Sequence, residues 1–557
     1  MNDTRDDRDS DLPVSGTTWG LAFALIALLA FSEHLAFNRI FQVDELQYVF
    51  TARLLATHQT AQYDASANLM LFGPMTWLAK IIDGGALLLR SERLLFFVCF
   101  WINLCLIVRC AGVRLRSQKG LFFLLLAATL APLWDYGFEM RHENPLLAVL
   151  LLAWLFARPL DPDAKRRLFF VGFLVVIAQF LAFKAFAYAV PIAIGALVGA
   201  IWEEKRPVLR ALLTLMAGAA CATVACLLLH WFAGTWDIYF ADTKSLGSTA
   251  VRTMRLSPIP ALSRIVMQAP LLLVATAFAV VVALRNWRWR ELVSRESLVP
   301  EVALLAVAVV VLLVNPTPYP YNLVLLVPQM MILCLRLDPQ PFSRPVLIGL
   351  FALHIATWLV PTQRHLLMTN DRQVLLTKTA EQLTDPNAHA VLDGAGLVPT
   401  RHPPNRHWLI HGFTIKAFID GTYPSIATQL AEGKTPVIIP NYRLGWLRRE
   451  DHQFIDEHYM PLAGDFLVAG TAIPPGNERE WTCLVPGRYF LMFDDSTDAL
   501  SLDNLSRPRG PVTIARGAHT FRNTSSQPAF VIWLGPTLSA PPPLPSGDPN
   551  LVFVNFY

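Results

Sequence analysis

The sequence predicts a polytopic α-helical membrane protein, with about eleven transmembrane helices followed by a soluble C-terminal region of α/β and β-sandwich character. Three observations carry this. Of the 557 residues, 54% are hydrophobic and only 16% charged, too apolar a balance for a soluble chain of this length. Apolar runs of near-spanning length recur from residue 18 to residue 360, separated by short basic clusters. Beyond residue 361 the runs shorten to strand length, and Pro, Gly, Asn and Asp punctuate them.

Residues 1–17 carry Asp3, Arg5, Asp6, Asp7, Arg8, Asp9 and Asp11 without an apolar pattern and read as a disordered tail. Residues 18–37 form a retained first span, because no small-residue cleavage site follows them. Further apolar runs fall near residues 93–110, 120–134, 144–157, 168–183, 186–202, 211–232, 264–284, 300–315, 321–336 and 345–360. Basic residues mark alternate loops: Arg109 to Lys119, Arg158 to Arg167, Lys205 to Arg210, Arg285 to Arg295, and Arg336 with Arg344. By the positive-inside rule that side is cytoplasmic, as is the N-terminus. Loops 38–92, 135–143, 233–263 and 316–320 then face outward, together with the C-terminal region.

That region divides on composition into 361–464, with a helix over Asp371–Leu383 and short strands, and a β-sandwich-like 465–557. Strands are expected at VIIP (437), FLVAG (466), YFLMF (489), PVTIA (511) and AFVIWL (529), with LVFVNFY (551) as the last. The net charge of +4 is small and lies in loop clusters, so no nucleic-acid surface is expected. Six of the seven cysteines lie in or beside apolar runs, which argues against a disulfide framework. No histidine spacing makes a zinc site.

Chemistry concentrates in the outward loops. FQVDELQYVFTARLL places Asp44 and Glu45 at the start of an amphipathic interfacial helix. Helix capping and the helix dipole account for such a pair. Alternatively Asp44 points into a cavity at the membrane surface, where a carboxylate takes a proton from a hydroxyl. Glu45 is a second catalytic candidate, though a first-turn structural role explains it adequately.

WDYGFEMRHENPLLAVLLLAWL packs Asp135, Glu139, Arg141, His142 and Glu143 ahead of a span. It reads either as a solvated hairpin or as a site in which Arg141 binds phosphate and Glu143 faces Asp44. Lys184 either snorkels to the interface or neutralises an anionic lipid headgroup. Arg252 and Arg255 lie in a loop whose aromatic residues suit an interfacial belt or a sugar phosphate. NPTPYPYN reads as a rigid hairpin, with Tyr319 and Tyr321 as weaker substrate contacts.

The acidic pair in DELQY, the stretch FGPMTWLAKI (72–81), ENPLLAVLLLAWL after Glu143, and the outward C-terminal domain together resemble the GT-C membrane glycosyltransferases. The likeness covers roughly residues 18–340 and is to the group containing the aminoarabinose transferase of lipid A and the protein O-mannosyltransferases. This chain has Asn144 where that group often has an aspartate before PLLA, which moves the second acid to Glu143. The basic residue common before the prolines is absent, although Lys80 is in the same loop.

The resemblance implies a polyprenyl-phosphate-linked sugar as donor and a glycan, lipid or protein as acceptor, at the periplasmic face of a bacterial inner membrane. It casts Asp44 as base, and Arg141, Lys184 or a loop arginine as phosphate partner, with inversion at the anomeric carbon. Some relatives use a divalent cation, Mg or Mn, and the sequence leaves the metal undecided. Two other readings stand: a transporter or glycan-binding membrane protein, and another lipid-headgroup transferase or ligase. The discriminating expectation is geometric, that Asp44 and Glu143 share one site.

Overall fold

The computed structural model describes residues 16–63, 65–158, 164–202, 205–241, 257–285, 298–315, 318–337, 344–411, 414–492, 500–503, 505–506 and 510–553. Helices α1 (Gly16–Asn38), α2 (Val43–Ala56), α3 (Leu69–Ile81), α4 (Gly85–Cys110), α5 (Gln118–Ala128), α6 (Ala131–Tyr136), α7 (Glu143–Ala157), α8 (Ala164–Leu181), α9 (Ala185–Trp202), α10 (Val208–Phe232), α11 (Ile259–Gln268), α12 (Pro270–Arg285), α13 (Val299–Val314), α14 (Leu323–Arg336) and α15 (Arg344–Leu367) build the N-terminal part.

Nine of the eleven apolar runs each coincide with one helix, whereas the run at 120–134 is divided between α5 and α6 and that at 264–284 between α11 and α12. Among the described residues four helices, α1, α4, α9 and α10, are each long and apolar enough to cross a membrane. The run at 264–284 is not continuous: α11 and α12 meet at 98°, a fifth span if they are taken as one. Pro270 explains the break, since proline offers no backbone N–H to the preceding turn. Large apolar side chains cover the outer surface, with Phe23, Trp202, Leu209, Phe232, Val274 and Val360 all more than half exposed. Such helices need lipid around them. The chain is a polytopic membrane protein.

The bundle packs through small residues as well as large ones. A Cβ at Gly172 of α8 would strike the Leu215 carbonyl of α10, and one at Gly218 of α10 would strike the Phe169 carbonyl of α8. The two backbones therefore approach closely, as small residues allow in membranes.

Polar clusters sit at the two ends of α7, whose 15 residues span about 22 Å. At its C-terminal end, Arg158 pairs with Glu301 of α13, which also takes Arg336 of α14 at 2.6 Å. At its N-terminal end lie Glu143, Lys184 before α9, and Asn322 before α14.

The C-terminal region opens with α16 (Asp371–Leu383), over the expected residues. Its strands are β1 (Val391–Leu392), β2 (Val437–Ile438), β3 (Tyr459–Ala463), β4 (Phe466–Ile473), β5 (Glu478–Cys483), β6 (Gly487–Met492), β7 (Leu500–Leu502), β8 (Leu505–Ser506), β9 (Pro511–Ile514), β10 (Gly517–Asn523) and β11 (Ala529–Trp533). One seven-stranded sheet runs β1-β2-β4-β11-β6-β9, with β3 also on β4, and a second runs β5-β10-β7-β8. The first sheet crosses the 464/465 division, so both parts of the region share it. The two sheets meet in a sandwich, where Trp481 of β5 packs against Tyr489 of β6 at 5.8 Å between ring centroids. The expected last strand at 551 is not one over its described part. Asp548 caps a short helix, Pro549–Val552, through the Asn550 N–H.

Parallel strands β1 and β2 end in loops that dock on α2. Asp393 accepts the Ala395 and Gly396 N–H groups at 2.7 and 2.6 Å, folding the first loop tightly. Gly396 has φ +87° and lies so close to Phe50 of α2 that a Cβ would collide with it. Trp408 packs on the same ring at 4.4 Å and donates its indole N–H to the Tyr63 carbonyl at 2.9 Å. Helix α2, expected at the membrane interface, is thus clasped between the bundle and the C-terminal domain.

Candidate active site

The capping position of α2 is Gln42, whose N–H donates to Glu45 Oε2 at 2.8 Å, so the acids fall within the first turn. Consecutive residues on a helix differ by about 100° in direction, and Asp44 and Glu45 accordingly face different surroundings. Glu45 is fully buried. Its Oε1 accepts from Arg93 Nε at 2.9 Å and from the Met140 N–H at 3.1 Å, and its Oε2 from Arg93 Nη2 at 2.5 Å. A carboxylate so enclosed and so fully bonded is placed to hold the fold together, in keeping with the first-turn structural role.

Asp44 keeps 28% of its side chain exposed. Arg141 Nη1 donates to its Oδ2 at 2.7 Å, and Arg443 Nη2 approaches its Oδ1 to 3.5 Å. Burial resists ionisation of Asp44, but Arg141 and Arg443 outweigh it and hold the pKa below the ordinary value.

Arg141 links the two acids that the sequence singles out. Its Nε lies 3.5 Å from Glu143 Oε2, and its guanidinium stacks 3.4 Å from the Tyr321 ring centroid. Glu143 is the first residue of α7, where the helix dipole favours an anion. Its Oε1 meets Lys184 Nζ at 2.5 Å and His142 Nε2 at 3.1 Å. Lys184 also donates to Asn322 Oδ1 at 2.8 Å, and Tyr48 OH lies 2.6 Å from His142 Nδ1. Burial drops His142 to about 4, against the pull of Glu143, and drops His411 to about 4 with help from Arg443. Both rings are neutral at pH 7, so the charged set is three cations, Arg141, Lys184 and Arg443, around two carboxylates.

Beneath this site lies a second polar layer. Arg39 pairs with Glu139 at 3.1 Å and donates to the Asp135 carbonyl at 2.9 Å. Asp135 takes His365 at 2.7 Å and the Gln268 amide at 2.5 Å. Burial, with the Glu45 carboxylate adding to it, pushes Glu139 up to about 8 despite Arg39. Asn144 spans the loop by donating to the Tyr136 and Glu139 carbonyls at 3.2 and 2.8 Å. The residue that replaces the expected aspartate therefore shapes the turn that presents Arg141. The solvated hairpin is ruled out, because Asp135, Glu139, Arg141 and Glu143 are all buried.

Of the remaining residues singled out from sequence, Tyr319 packs on Tyr321 with centroids 5.4 Å apart. Lys80 is exposed in the last turn of α3 and is not brought to the cluster. Arg252 and Arg255 lie outside the described residues. Arg443, Gln47, Tyr48 and Asn322 join the site without having been singled out as candidates. Asn322 had a signal, as the last residue of NPTPYPYN. Arg443 had only a faint one, a cation in the turn after the buried strand VIIP. Among the described residues no group of three or more His, Cys, Asp and Glu gathers as metal ligands. Both site carboxylates already face guanidinium or ammonium groups, a donor set that does not fit a divalent cation.

No family model matches the chain, and no curated protein matches its sequence. Among solved structures it is similar to ArnT from Cupriavidus metallidurans, crystallised with undecaprenyl phosphate bound, at 14% identity and a TM-score of 0.51. The match covers 82% of this chain and 98% of that one. At this identity the likeness is one of architecture, and the architecture of the chain is the GT-C fold.

Proposed function

We propose that the protein is a GT-C membrane glycosyltransferase that moves a sugar from a polyprenyl-phosphate donor to a glycan, lipid or protein acceptor of the cell envelope. The work is done at the periplasmic face of a bacterial inner membrane. One observation carries the reading: three cations surround two carboxylates, of which only Asp44 is reachable from outside. The excess of one positive charge suits a phosphate, and the solved structure of like fold holds a polyprenyl phosphate.

The chemistry follows from the charges. When the anomeric carbon leaves its phosphate, negative charge grows on the phosphate oxygens, and Arg141 and Lys184 offset it. No proton donor is needed for such a leaving group. Glu143, 1% exposed, fixes both cations in place. Asp44 takes the proton of the acceptor hydroxyl as it attacks the opposite face of the sugar, which inverts the anomeric centre. Since the residues do not fit a divalent cation, no step passes through one.

The test supplies membranes containing the protein with labelled polyprenyl-phosphate sugar and follows transfer to envelope acceptors. Asp44→Asn should lower the rate by about 10²- to 10⁴-fold, the usual worth of a positioned base. An unchanged rate in that variant removes Asp44 from the mechanism.

A further inference from the structure

We propose that the C-terminal domain completes the site by delivering Arg443, which binds the donor's phosphate beside Arg141 and in doing so lets go of Asp44. This inference rests on the lipid-phosphate reading above and adds to it a cation from a different part of the chain.

Arg443 is built into place. It follows β2 in a tight turn, where its N–H donates to Asn441 Oδ1 at 3.0 Å. Asn441 in turn donates to the Asp393 carbonyl at 2.8 Å, which joins the turn to the loop after β1. The crevice beyond the carboxyl ends of adjacent parallel strands is where α/β sheets present binding groups. The guanidinium is held at one corner, Nη1 donating to the Ile410 carbonyl at 2.8 Å. With its amide oxygen turned inward, Gln47 of α2 accepts from Nη1 at 2.8 Å and from Nη2 at 3.1 Å. The side chain is 6% exposed, and its Nε has no hydrogen-bond partner among the described residues. A buried guanidinium with an unused N–H can donate to a further oxygen ligand.

The grip on Asp44 is uneven. Arg141 makes a direct bond at 2.7 Å, whereas Arg443 stands off at 3.5 Å. The looser contact is the one a phosphate displaces first, because phosphate offers more acceptor oxygens and more charge than one carboxylate oxygen. Loss of a nearby cation raises the proton affinity of Asp44, so the base gains strength when donor is loaded. Donor binding and base activation then share one residue, and the C-terminal domain becomes part of the site.

The test measures binding of undecaprenyl phosphate and of undecaprenol, the same lipid without phosphate, to the full-length protein in detergent. Wild type should prefer the phosphate. Arg443→Gln should weaken binding of the phosphate about tenfold or more and leave undecaprenol unchanged, while Arg443→Lys recovers part of the loss. If wild type shows no preference for phosphate, the lipid-phosphate reading falls, and this inference with it. If wild type prefers the phosphate and Arg443→Gln keeps the same preference, only the role of Arg443 is overturned. An equal loss of both lipids in Arg443→Gln marks a purely structural residue and overturns the inference as well. The acid limb of the transfer rate gives an independent check. Removing this cation should move the limb to higher pH, and a limb that stays put counts against the grip on Asp44.

Discussion

Asp44 and Glu45 are neighbours in the chain, and the turn of α2 sends them into two unlike regions. Glu45 enters a closed lattice in which Arg93 neutralises it and backbone N–H groups occupy what remains. Asp44 enters an open cluster where cations outnumber acids and part of the carboxylate meets solvent. Charge alone does not distinguish the two. What differs is completeness: a balanced and enclosed ion pair stabilises a fold, and an unbalanced one with an exposed edge is ready for an anion from outside.

The sharpest break of this comparison is a pair of matched variants. Glu45→Ala leaves Arg93 buried without its partner, which should destabilise the protein by about 3–5 kcal/mol. A thermal melt in detergent reads this directly. Asp44→Asn should cost the melt less than Glu45→Ala, because the Asp44 side chain is 28% exposed and an amide oxygen there still accepts from Arg141, while abolishing most transfer. Were the two melts to move together, the division into lattice and site would be false.

Glu143 lies between these extremes, buried like Glu45 but in contact with Arg141 and Lys184. Glu143→Gln keeps its shape and removes the charge that gathers the cations. KM for the lipid donor should rise by about tenfold with a smaller change in kcat, since the phosphate must then order Arg141 and Lys184 itself. A fall in kcat alone would instead mark Glu143 as acting in the transition state.

The two regions should also answer pH differently. Glu139 belongs to the lattice, and its pKa is about 8 when folded against an ordinary value of 4.5. Between those values the folded protein holds a proton that the unfolded chain releases, so the Glu139 contribution to stability is fully present below pH 4.5 and is lost as pH rises through about 8. Glu139→Gln should flatten that decline in the melting temperature. Asp44 is held below its ordinary pKa, so it stays ionised over the same window and gives transfer no acid limb there. Its pairing contributes stability above the unfolded pKa and loses it only as pH drops through the lower folded value.

Much of the bundle was legible because apolar runs and basic loops are dictated by the bilayer and are read locally. The helix at Asp371–Leu383 and the strands at 437, 466, 489, 511 and 529 were legible for the same reason, through their own periodicity. Strands β3, β5 and β10 went unread because proline or polar residues interrupt their apolar pattern, and the apolar stretch at 551 opens as a short helix. The broken span at Ala269 was harder, since the apolar run passes straight over Pro270. In the site, Asp44, Arg141, Glu143 and Lys184 were conspicuous as charges where an apolar chain has little use for them. Arg443 was not, because a cation in a soluble domain is ordinary and only tertiary docking brings it to α2. Nor could sequence separate Asp44 from Glu45, since their difference arises from what α2 is packed between.

Two lysines carry the comparison to its smallest effect. The sequence offered both Lys80 and Lys184 as phosphate partners, and only Lys184 meets the cluster. Lys184→Ala removes the cation that Glu143 and Asn322 hold, and should cost about tenfold or more in transfer at limiting donor. Lys80 stands exposed on α3, where its ammonium is solvated and screened. Lys80→Ala should change transfer less than about twofold and stability by no more than about 0.5 kcal/mol. Raising the ionic strength should leave that small effect undetectable while the Lys184 effect persists, because a buried pair is screened much less than a surface charge.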